Sequence, residues 1–131
     1  MSQVEVNMKY SLGKSIGKEF YVYRLLLLIS FLVSAPVAAE SVFVKYHGEV
    51  PLDSFDCPAL KDSSLVKRIC YDNVNSYLIV LLNKTYYHYC EVDSELMESW
   101  ISAPSLGRFY GSRVRGAGYD CRGKQVPQYD D

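Results

Sequence analysis

Residues 76–92, SYLIVLLNKTYYHYCEV, constrain the fold more than any other part of the sequence. The first half of this stretch, SYLIVLL, is apolar throughout, which predicts a central strand that is buried on both faces. The second half, TYYHYCEV, is rich in aromatic residues that favour β-strands. Because only Asn83 and Lys84 separate the two halves, the stretch predicts a tight β-hairpin with a two-residue turn.

Two further segments predict additional strands around this hairpin. SLVKRICY, residues 64–71, has a strand composition and is joined to the hairpin by DNVN, whose Asp and Asn residues favour a turn. SVFVKYHGEV, residues 41–50, alternates apolar residues and predicts a short strand that ends at Gly48 and Pro51. Residues 51–62 predict a loop, because they are rich in Pro, Asp and Ser.

Residues 93–104, DSELMESWISAP, predict one amphipathic helix that packs on a face of the sheet. Asp93 is a suitable N-cap, and Val92 can contact Met97 as a hydrophobic staple. Pro104 ends the helix, since the residue before a proline is driven out of the α region. The apolar side of this helix comprises Leu96, Met97, Trp100 and Ile101.

The predicted fold class is α+β: a three- to four-stranded antiparallel meander sheet packed on one face by a single amphipathic helix, with a short helical turn and a loop-rich C-terminus. Side-chain alternation assigns the strand residues to two faces, and a one-residue slip in either turn would exchange them. The face expected to receive the helix comprises Leu65, Ile69, Leu78, Val80, Leu82, Tyr87 and Tyr89. The opposite face comprises Arg68, Cys70, Tyr77, Ile79, Leu81, Tyr86, His88 and Cys90.

Residues 1–39 have the three parts of a secretory signal segment. A basic stretch ends at Arg24, an apolar run follows, and small residues precede a predicted cleavage site after Ala39. The apolar run of about nine residues is well short of the ~20 that span a bilayer, so no membrane anchor is expected after cleavage. Met8, followed by Lys9, is an alternative start. The mature protein is expected to be periplasmic or secreted.

Four cysteines, Cys57, Cys70, Cys90 and Cys121, follow the predicted signal. An even number of cysteines in an oxidising compartment predicts disulfides. The sequence contains neither Cys-x-x-Cys nor a Cys/His ligand spacing, so no metal site is predicted. Cys70 and Cys90 would lie on strands separated by a third strand, roughly 9–10 Å apart. Since the Cα atoms of a disulfide lie within ~7 Å, these two are not expected to pair. Cys57 and Cys121, from opposite ends of the domain, are each expected to reach one of them.

Four sequence blocks occur in order: Ser63-Ser64, a central Tyr-x-Tyr formed by Tyr87 and Tyr89, the Gly-Arg-aromatic segment 107–110, and Arg115-Gly116. Together they resemble the KTSC domain, a small family named for the C-terminal end of some lysyl-tRNA synthetases that also occurs as free-standing bacterial proteins. The resemblance implies a compact α+β unit without established activity, for which RNA binding has been suggested. The predicted export signal and the four cysteines depart from this pattern. The chain then divides into a signal peptide (1–39), an N-terminal strand and loop (40–62), a KTSC-like domain (63–116) and a C-terminal tail (117–131).

The residues show no convincing catalytic set, so the sequence predicts a non-enzymatic binding or interaction module without cofactor or metal. His88 is interpreted as a structural strand residue rather than a general base, and Ser63 and Ser64 have no neighbouring base in the sequence. A hydrolase that uses His88 is the less favoured interpretation. The expected partner is an unknown protein or a polyanion. Asn83-Lys84-Thr85 also matches the N-glycosylation pattern, although it makes an ordinary hairpin turn.

Nucleic acid or another polyanion is the alternative ligand, bound through the C-terminal Arg/aromatic segment. Arginine contacts phosphate well, aromatic side chains stack on bases, and Asp120 is the only acidic residue between 108 and 124. After the predicted signal, however, ten basic residues face thirteen acidic ones, which argues against broad phosphate-backbone binding. The other interpretation is a solvated loop whose arginines pair with Glu91, Glu95 or Glu98. The predicted ligand residues are Arg108, Phe109, Tyr110, Arg113, Arg115, Arg122 and Lys124.

Overall fold

The computed structural model describes residues 35–130 of the chain. The signal segment predicted for residues 1–39 lies almost entirely outside the described residues. None of the helices that are described is long and apolar enough to cross a membrane. Five strands are present: Ser41–Val44 (β1), Gly48–Pro51 (β2), Val66–Asp72 (β3), Tyr77–Leu82 (β4) and Thr85–Tyr89 (β5). They form one sheet in the order β2-β1-β5-β4-β3.

The hairpin predicted around Asn83-Lys84 is present with the predicted register. Asn83 has a φ of 56°, a conformation that asparagine tolerates better than most residues and that a two-residue hairpin turn favours. β4 and β5 pair Leu78 with Tyr89 and Val80 with Tyr87. β3 continues the antiparallel meander on the other side of β4. The predicted assignment of side chains to two faces therefore holds for these three strands from Arg68 onward.

The five-stranded sheet matches the prediction of three to four antiparallel strands only roughly. Residues 41–50, predicted as one strand, form the β1–β2 hairpin, because the chain reverses around Tyr46 and Gly48 with φ angles of 66° and 118°. β1 then lies parallel to β5 through the single pair Val44–Tyr86, which makes the sheet mixed. A tyrosine in the left-handed conformation carries no turn signature, so the local sequence does not reveal this reversal.

Two short helices follow the sheet: α1, Ser94–Ile101, and α2, Leu106–Phe109. The prediction of one amphipathic helix and a short helical turn matches them only roughly. The predicted cap of α1 is confirmed, since the carboxylate of Asp93 accepts a hydrogen bond from the backbone N–H of Leu96 at 2.7 Å. α2 runs directly into a π-helical turn, Tyr110–Val114. π-helical turns are rare and occur frequently at functional sites.

One face of the sheet, the helix face, packs against the two helices and the π-helical turn. Trp100 is fully buried there, and its indole Nε1 donates to the carbonyl of Leu106 at 3.0 Å. A β-bulge between Val66 and Arg68 turns Val66 into this core, whereas the predicted Leu65 is only partly buried. The buried side chains are Val66, Ile69, Leu78, Val80, Leu82, Val92, Leu96, Met97, Trp100, Leu106, Tyr110 and Val114.

The opposite face, the arm face, packs against side chains of an N-terminal arm (residues 40–62, which include β1 and β2 of the same sheet) and of a C-terminal arm (residues 117–130). Two disulfides, Cys57–Cys70 and Cys90–Cys121, tie one arm each to the sheet region. The prediction that Cys70 and Cys90 do not pair is thus confirmed, and the described residues contain no free cysteine. The buried side chains of this face are Val42, Val44, Val50, Leu52, Cys70, Tyr77, Ile79, Cys90 and Cys121.

The end of the C-terminal arm is anchored by Tyr129. Its ring packs near Phe55 and Tyr77, with centroids 5.3 and 6.2 Å away. Its hydroxyl donates to the carboxylate of Asp72 at 2.7 Å, and this residue, only 2% exposed, also accepts from the side chain of Asn75. Burial acts to raise the pKa of Asp72, but these donors and two backbone N–H groups outweigh burial and hold the pKa below its usual value.

Candidate functional site

A groove of about 630 Å³ lies beside the outer edge of β5. The strand forms its floor, the turn between β1 and β2 forms the first wall, and the C-terminal arm forms the second wall. Cavities of this size are typical of small-molecule binding sites. The first wall contributes Lys45, Tyr46 and His47, and the floor contributes Tyr87, His88 and Tyr89.

On the groove edge of β5, the β-ladder has a gap at one backbone donor, the N–H of His88. On this edge of β5, the carbonyl of Tyr86 accepts from the N–H of Lys45 at 2.9 Å, and the N–H of Cys90 donates to the carbonyl of Tyr119 at 2.7 Å. Backbone groups of alternate residues point to the same edge of a strand, so those of His88 point to this edge as well. β1 has already turned away here, and the N–H of His88 has no hydrogen-bond partner in the described part of the chain. The groove therefore has a free backbone donor in its floor.

The imidazole of His88 is oriented by Tyr77. The hydroxyl oxygen of the fully buried Tyr77 lies 2.8 Å from Nδ1 of His88. Burial raises the pKa of Tyr77, so the hydroxyl keeps its proton. Since no other acceptor for this proton is found among residues 35–130, we assign the hydroxyl as the donor to Nδ1, which leaves the proton of the neutral imidazole on Nε2.

The two histidines of the groove lie close to each other. The ring centroids of His47 and His88 are 5.0 Å apart. Burial first, and then the neighbouring His47, lower the pKa of His88, while Asp120 acts in the opposite direction. The imidazole of His88 is therefore neutral near pH 7 and presents an N–H rather than a charge.

Aromatic side chains give the groove flat apolar surfaces. Tyr46 is 88% exposed, and the Lys45 ammonium lies over the rings of Tyr46 and Tyr87, at 4.9 and 5.6 Å from their centroids. The hydroxyl of Tyr89 forms a hydrogen bond with that of Tyr110 at 2.7 Å, and burial is the main reason that the pKa of Tyr89 is raised. Both motif tyrosines are predicted to be core residues, but both are half-buried. Tyr87 gives surface to the groove, and Tyr89 joins the strand to the π-helical turn.

The second wall is attached to the sheet at several points. The disulfide between Cys90 and Cys121 joins it covalently to the end of β5. Asp120 forms a β-bridge with Tyr89, and the Lys124 ammonium pairs with the carboxylate of Glu91 at 3.1 Å. These attachments fix the position of the wall relative to β5.

The charged side chains that line the groove include one more cation than anion. Lys45 and Arg122 carry positive charge, and Asp120 is the acidic residue of the lining. Arg122 lies 4.0 Å from Asp120 and its side chain is 91% exposed. An ion pair that is this long and this exposed contributes little, so the guanidinium is available to another acceptor.

The structure divides the predicted Arg/aromatic segment between two surfaces. Arg122 lines the groove, and Lys124 supports the second wall through Glu91. Arg115 and Tyr110 instead line a second cavity of about 750 Å³, which also contacts Tyr87.

The remaining predicted ligand residues lie on α2 and the π-helical turn. Phe109 stacks on Trp100 with ring centroids 6.0 Å apart, so this ring is mainly engaged in packing. The guanidinium of Arg113 lies 5.7 Å from the centroid of Phe109. Arg108 and Arg113 are exposed and, like Arg115, form no ion pair with any described residue. The expected pairing with Glu95 or Glu98 is absent from residues 35–130.

Sequence reasoning missed the first wall of the groove. Lys45, Tyr46 and His47 reach the site only because β1 lies beside β5, a pairing between distant parts of the chain. The Tyr-x-Tyr motif was the one signal in the sequence that pointed to the floor. Among residues 35–130, no group of three or more His, Cys, Asp or Glu side chains could hold a metal ion.

Comparison with known protein families matches residues 62–119 to the KTSC domain. This match agrees with the resemblance carried by the four sequence blocks. It includes the floor of the groove and the π-helical turn, but not the first wall or the part of the second wall after Tyr119. Comparison with curated proteins finds no match.

Proposed function

We propose, from the premise that residues 62–119 form a KTSC domain, that this protein is an exported, non-enzymatic binding module whose ligand occupies the groove. One observation carries the proposal. The Tyr-x-Tyr strand of the domain is the floor of a groove whose two walls come largely from outside the matched segment. A wall that is already fixed by a disulfide keeps the cost of ordering on binding low.

The side chains around the groove support binding rather than catalysis. Nδ1 of His88, where a general base would accept a proton, is engaged by the hydroxyl of Tyr77. All four cysteines are in disulfides, so a thiol nucleophile is absent from the described residues. Neither His47 nor His88 forms a hydrogen bond with a serine or threonine hydroxyl in this part of the chain.

Two disulfides support the location outside the cytoplasm. Disulfides form and persist in oxidising compartments, where small domains use them to supplement a limited core. The predicted signal segment at residues 1–39 is in agreement with this location.

Native mass spectrometry of the protein isolated from its own compartment tests the proposal. We expect a small molecule to remain bound to the wild type and to be lost from a Tyr46→Ala, Arg122→Ala variant, because both residues are exposed and line the groove. Arg113→Ala is the matched control, since Arg113 is exposed but lies outside the groove. Equal loss from both variants, or chemical conversion of the bound molecule by the wild type, would contradict the proposal.

Polyanion binding is the second candidate, favoured by the three exposed and unpaired arginines Arg108, Arg113 and Arg115 in the described chain. Heparin chromatography over a salt gradient tests it. If this surface binds heparin, the double variant Arg113→Glu, Arg115→Glu should elute at clearly lower salt than the wild type. Each arginine that is lost removes a contact to an anionic group of the polymer and so lowers the affinity. Arg122→Glu should leave elution nearly unchanged. Failure of the wild type to bind at low salt would exclude this candidate.

A further inference from the structure

We infer that the groove selects a small organic anion, namely a carboxylate carried on a flat apolar body, over neutral ligands of the same shape. The inference rests on the proposed function of the groove and adds the chemical class of its ligand. Three independent features of the groove support it: a free backbone donor, a surplus of cationic side chains, and exposed aromatic rings.

The backbone donor sets the chemistry of the ligand atom at the floor. The N–H of His88 lies in the gap of the β-ladder between two paired neighbours, Tyr86 and Cys90. An unpaired backbone N–H calls for an acceptor, which a ligand oxygen can supply. The imidazole of the same residue adds a second donor, because the bond from Tyr77 to Nδ1 leaves the proton on Nε2. Two donors from one residue suit an oxygen acceptor and do not suit a metal ion, which needs the free electron pair of the imidazole.

The charges around the groove favour one negative charge on the ligand. Lys45 and Arg122 lie on opposite walls, and Asp120 balances only one of them. The other acid nearby, Glu91, is already paired with Lys124 at 3.1 Å. A carboxylate between the walls would complete the balance, and hydrogen bonds between charged groups are about twice as strong as those between neutral groups.

The aromatic rings favour a ligand with a flat apolar part. Tyr46 and Tyr87 line the groove. The Lys45 ammonium lies over the ring of Tyr46, but Tyr46 is 88% exposed, so much of its ring surface remains open for stacking on a ligand. The volume of about 630 Å³ lies within the range of small-molecule sites. The arginines of the second candidate surface, by contrast, lie on α2, on the π-helical turn and directly after it, outside this groove.

Amide NMR titration with indole-3-acetate and indole-3-acetamide tests the inference, because the two probes differ in charge and hardly in shape. We expect indole-3-acetate to shift the backbone amide of His88 and to bind at least about tenfold more tightly than the amide, a difference of ~1.4 kcal/mol. The variant Lys45→Met with Arg122→Gln should remove this preference. Both residues are exposed, so the fold should be retained, and Arg113→Gln is the matched control.

The outcomes separate this inference from the proposed function. Equal affinity for acid and amide, with shifts at residues 87–89, would overturn the inference while groove binding stands. Shifts confined to Arg108, Arg113 and Arg115 would overturn both. Binding of neither probe, or an unchanged preference in the Lys45→Met, Arg122→Gln variant, would also overturn the inference.

Discussion

The helix face and the arm face of the same sheet are covered in different ways. On the helix face, both helices and the π-helical turn belong to the segment that matches the KTSC domain, and their side chains pack around Trp100 without a covalent link. On the arm face, the cover comes mostly from outside that segment and is tied down by two disulfides. The groove lies where the arms meet the edge of β5.

This difference separates the packing of the matched segment from the parts of the chain that form the walls of the groove. The N-terminal arm buries Val42, Val44, Val50 and Leu52, whereas the C-terminal arm contributes only Cys121 to the buried set, so packing alone holds the C-terminal arm weakly. Disulfides compensate by reducing the freedom of the unfolded chain. The helix face is thus expected to determine the stability of the fold, and the arm face to determine the shape of the groove.

The largest expected effect is on the helix face, from Trp100→Ala. Loss of a fully buried tryptophan should lower the free energy of unfolding by about 3–5 kcal/mol, since it removes both burial and packing contacts. Urea denaturation measures this loss. The control Val74→Ala, at a side chain that is 92% exposed, should change stability by less than ~0.5 kcal/mol. A Trp100→Ala loss as small as that of the control would show that the helix face is not the main core.

Removal of a disulfide from the arm face should have the next largest effect. Cys90→Ser with Cys121→Ser should cost roughly 3.5 kcal/mol for a sequence separation of 31, against roughly 3 kcal/mol for Cys57→Ser with Cys70→Ser at a separation of 13. Amide hydrogen exchange distinguishes the two variants by the part of the chain that loses protection. Only the first variant should lose protection along the C-terminal arm. Equal exposure of that arm in both variants would contradict separate attachment of the arms.

A smaller effect is expected from Tyr129→Phe, which removes one donor to the buried carboxylate of Asp72. The cost should be about 1–2 kcal/mol near pH 7, because hydrogen bonds to charged groups are worth more than neutral ones. The donors hold the pKa of Asp72 below its usual 3.8, so their stabilisation is complete above that pH and is lost as pH falls through the lowered pKa.

Urea denaturation of the wild type and Tyr129→Phe across the acidic range measures this dependence. The difference between the two proteins should shrink as pH falls below about 4. A difference that is constant from neutral to strongly acidic pH would assign the contribution of Tyr129 to ring packing against Phe55 and Tyr77 instead.

The smallest expected effect concerns the titration of His88 in the groove. Its pKa is lowered by burial and by His47, so stability is complete above the usual 6.5 and declines slightly as pH falls through the lowered pKa. NMR titration should find this pKa below 6.5, and in His47→Ala it should move upward toward 6.5. An unchanged pKa of His88 in His47→Ala would mean that the two rings do not interact.

The predictions that rest on residues close together in the sequence, or on the regular spacing of strands, agree with the structure. The two-residue turn at Asn83-Lys84 determined the register of β4 and β5, since a turn of that length allows little choice. The N-cap at Asp93 could be predicted because a short polar side chain directly precedes a helical pattern of apolar residues. Strand spacing alone excluded a bond between Cys70 and Cys90.

The features that sequence reasoning missed depend on distant contacts or on unusual backbone conformations. The parallel pairing of β1 with β5 brings Val44 beside Tyr86, and no local periodicity encodes such a partner. The bulge beside Val66 places Val66 in the core instead of the predicted Leu65. The π-helical turn has no distinct residue pattern that would predict it. The groove depends on the pairing of β1 with β5, so its first wall and the ring of His47 could not be assigned from sequence.

Peptide mapping without reduction, on protein isolated from its own compartment, tests most directly the claim that each arm is linked separately to the sheet. We expect two linked peptide pairs, Cys57 with Cys70 and Cys90 with Cys121. A link between Cys70 and Cys90, or four free thiols, would contradict that claim.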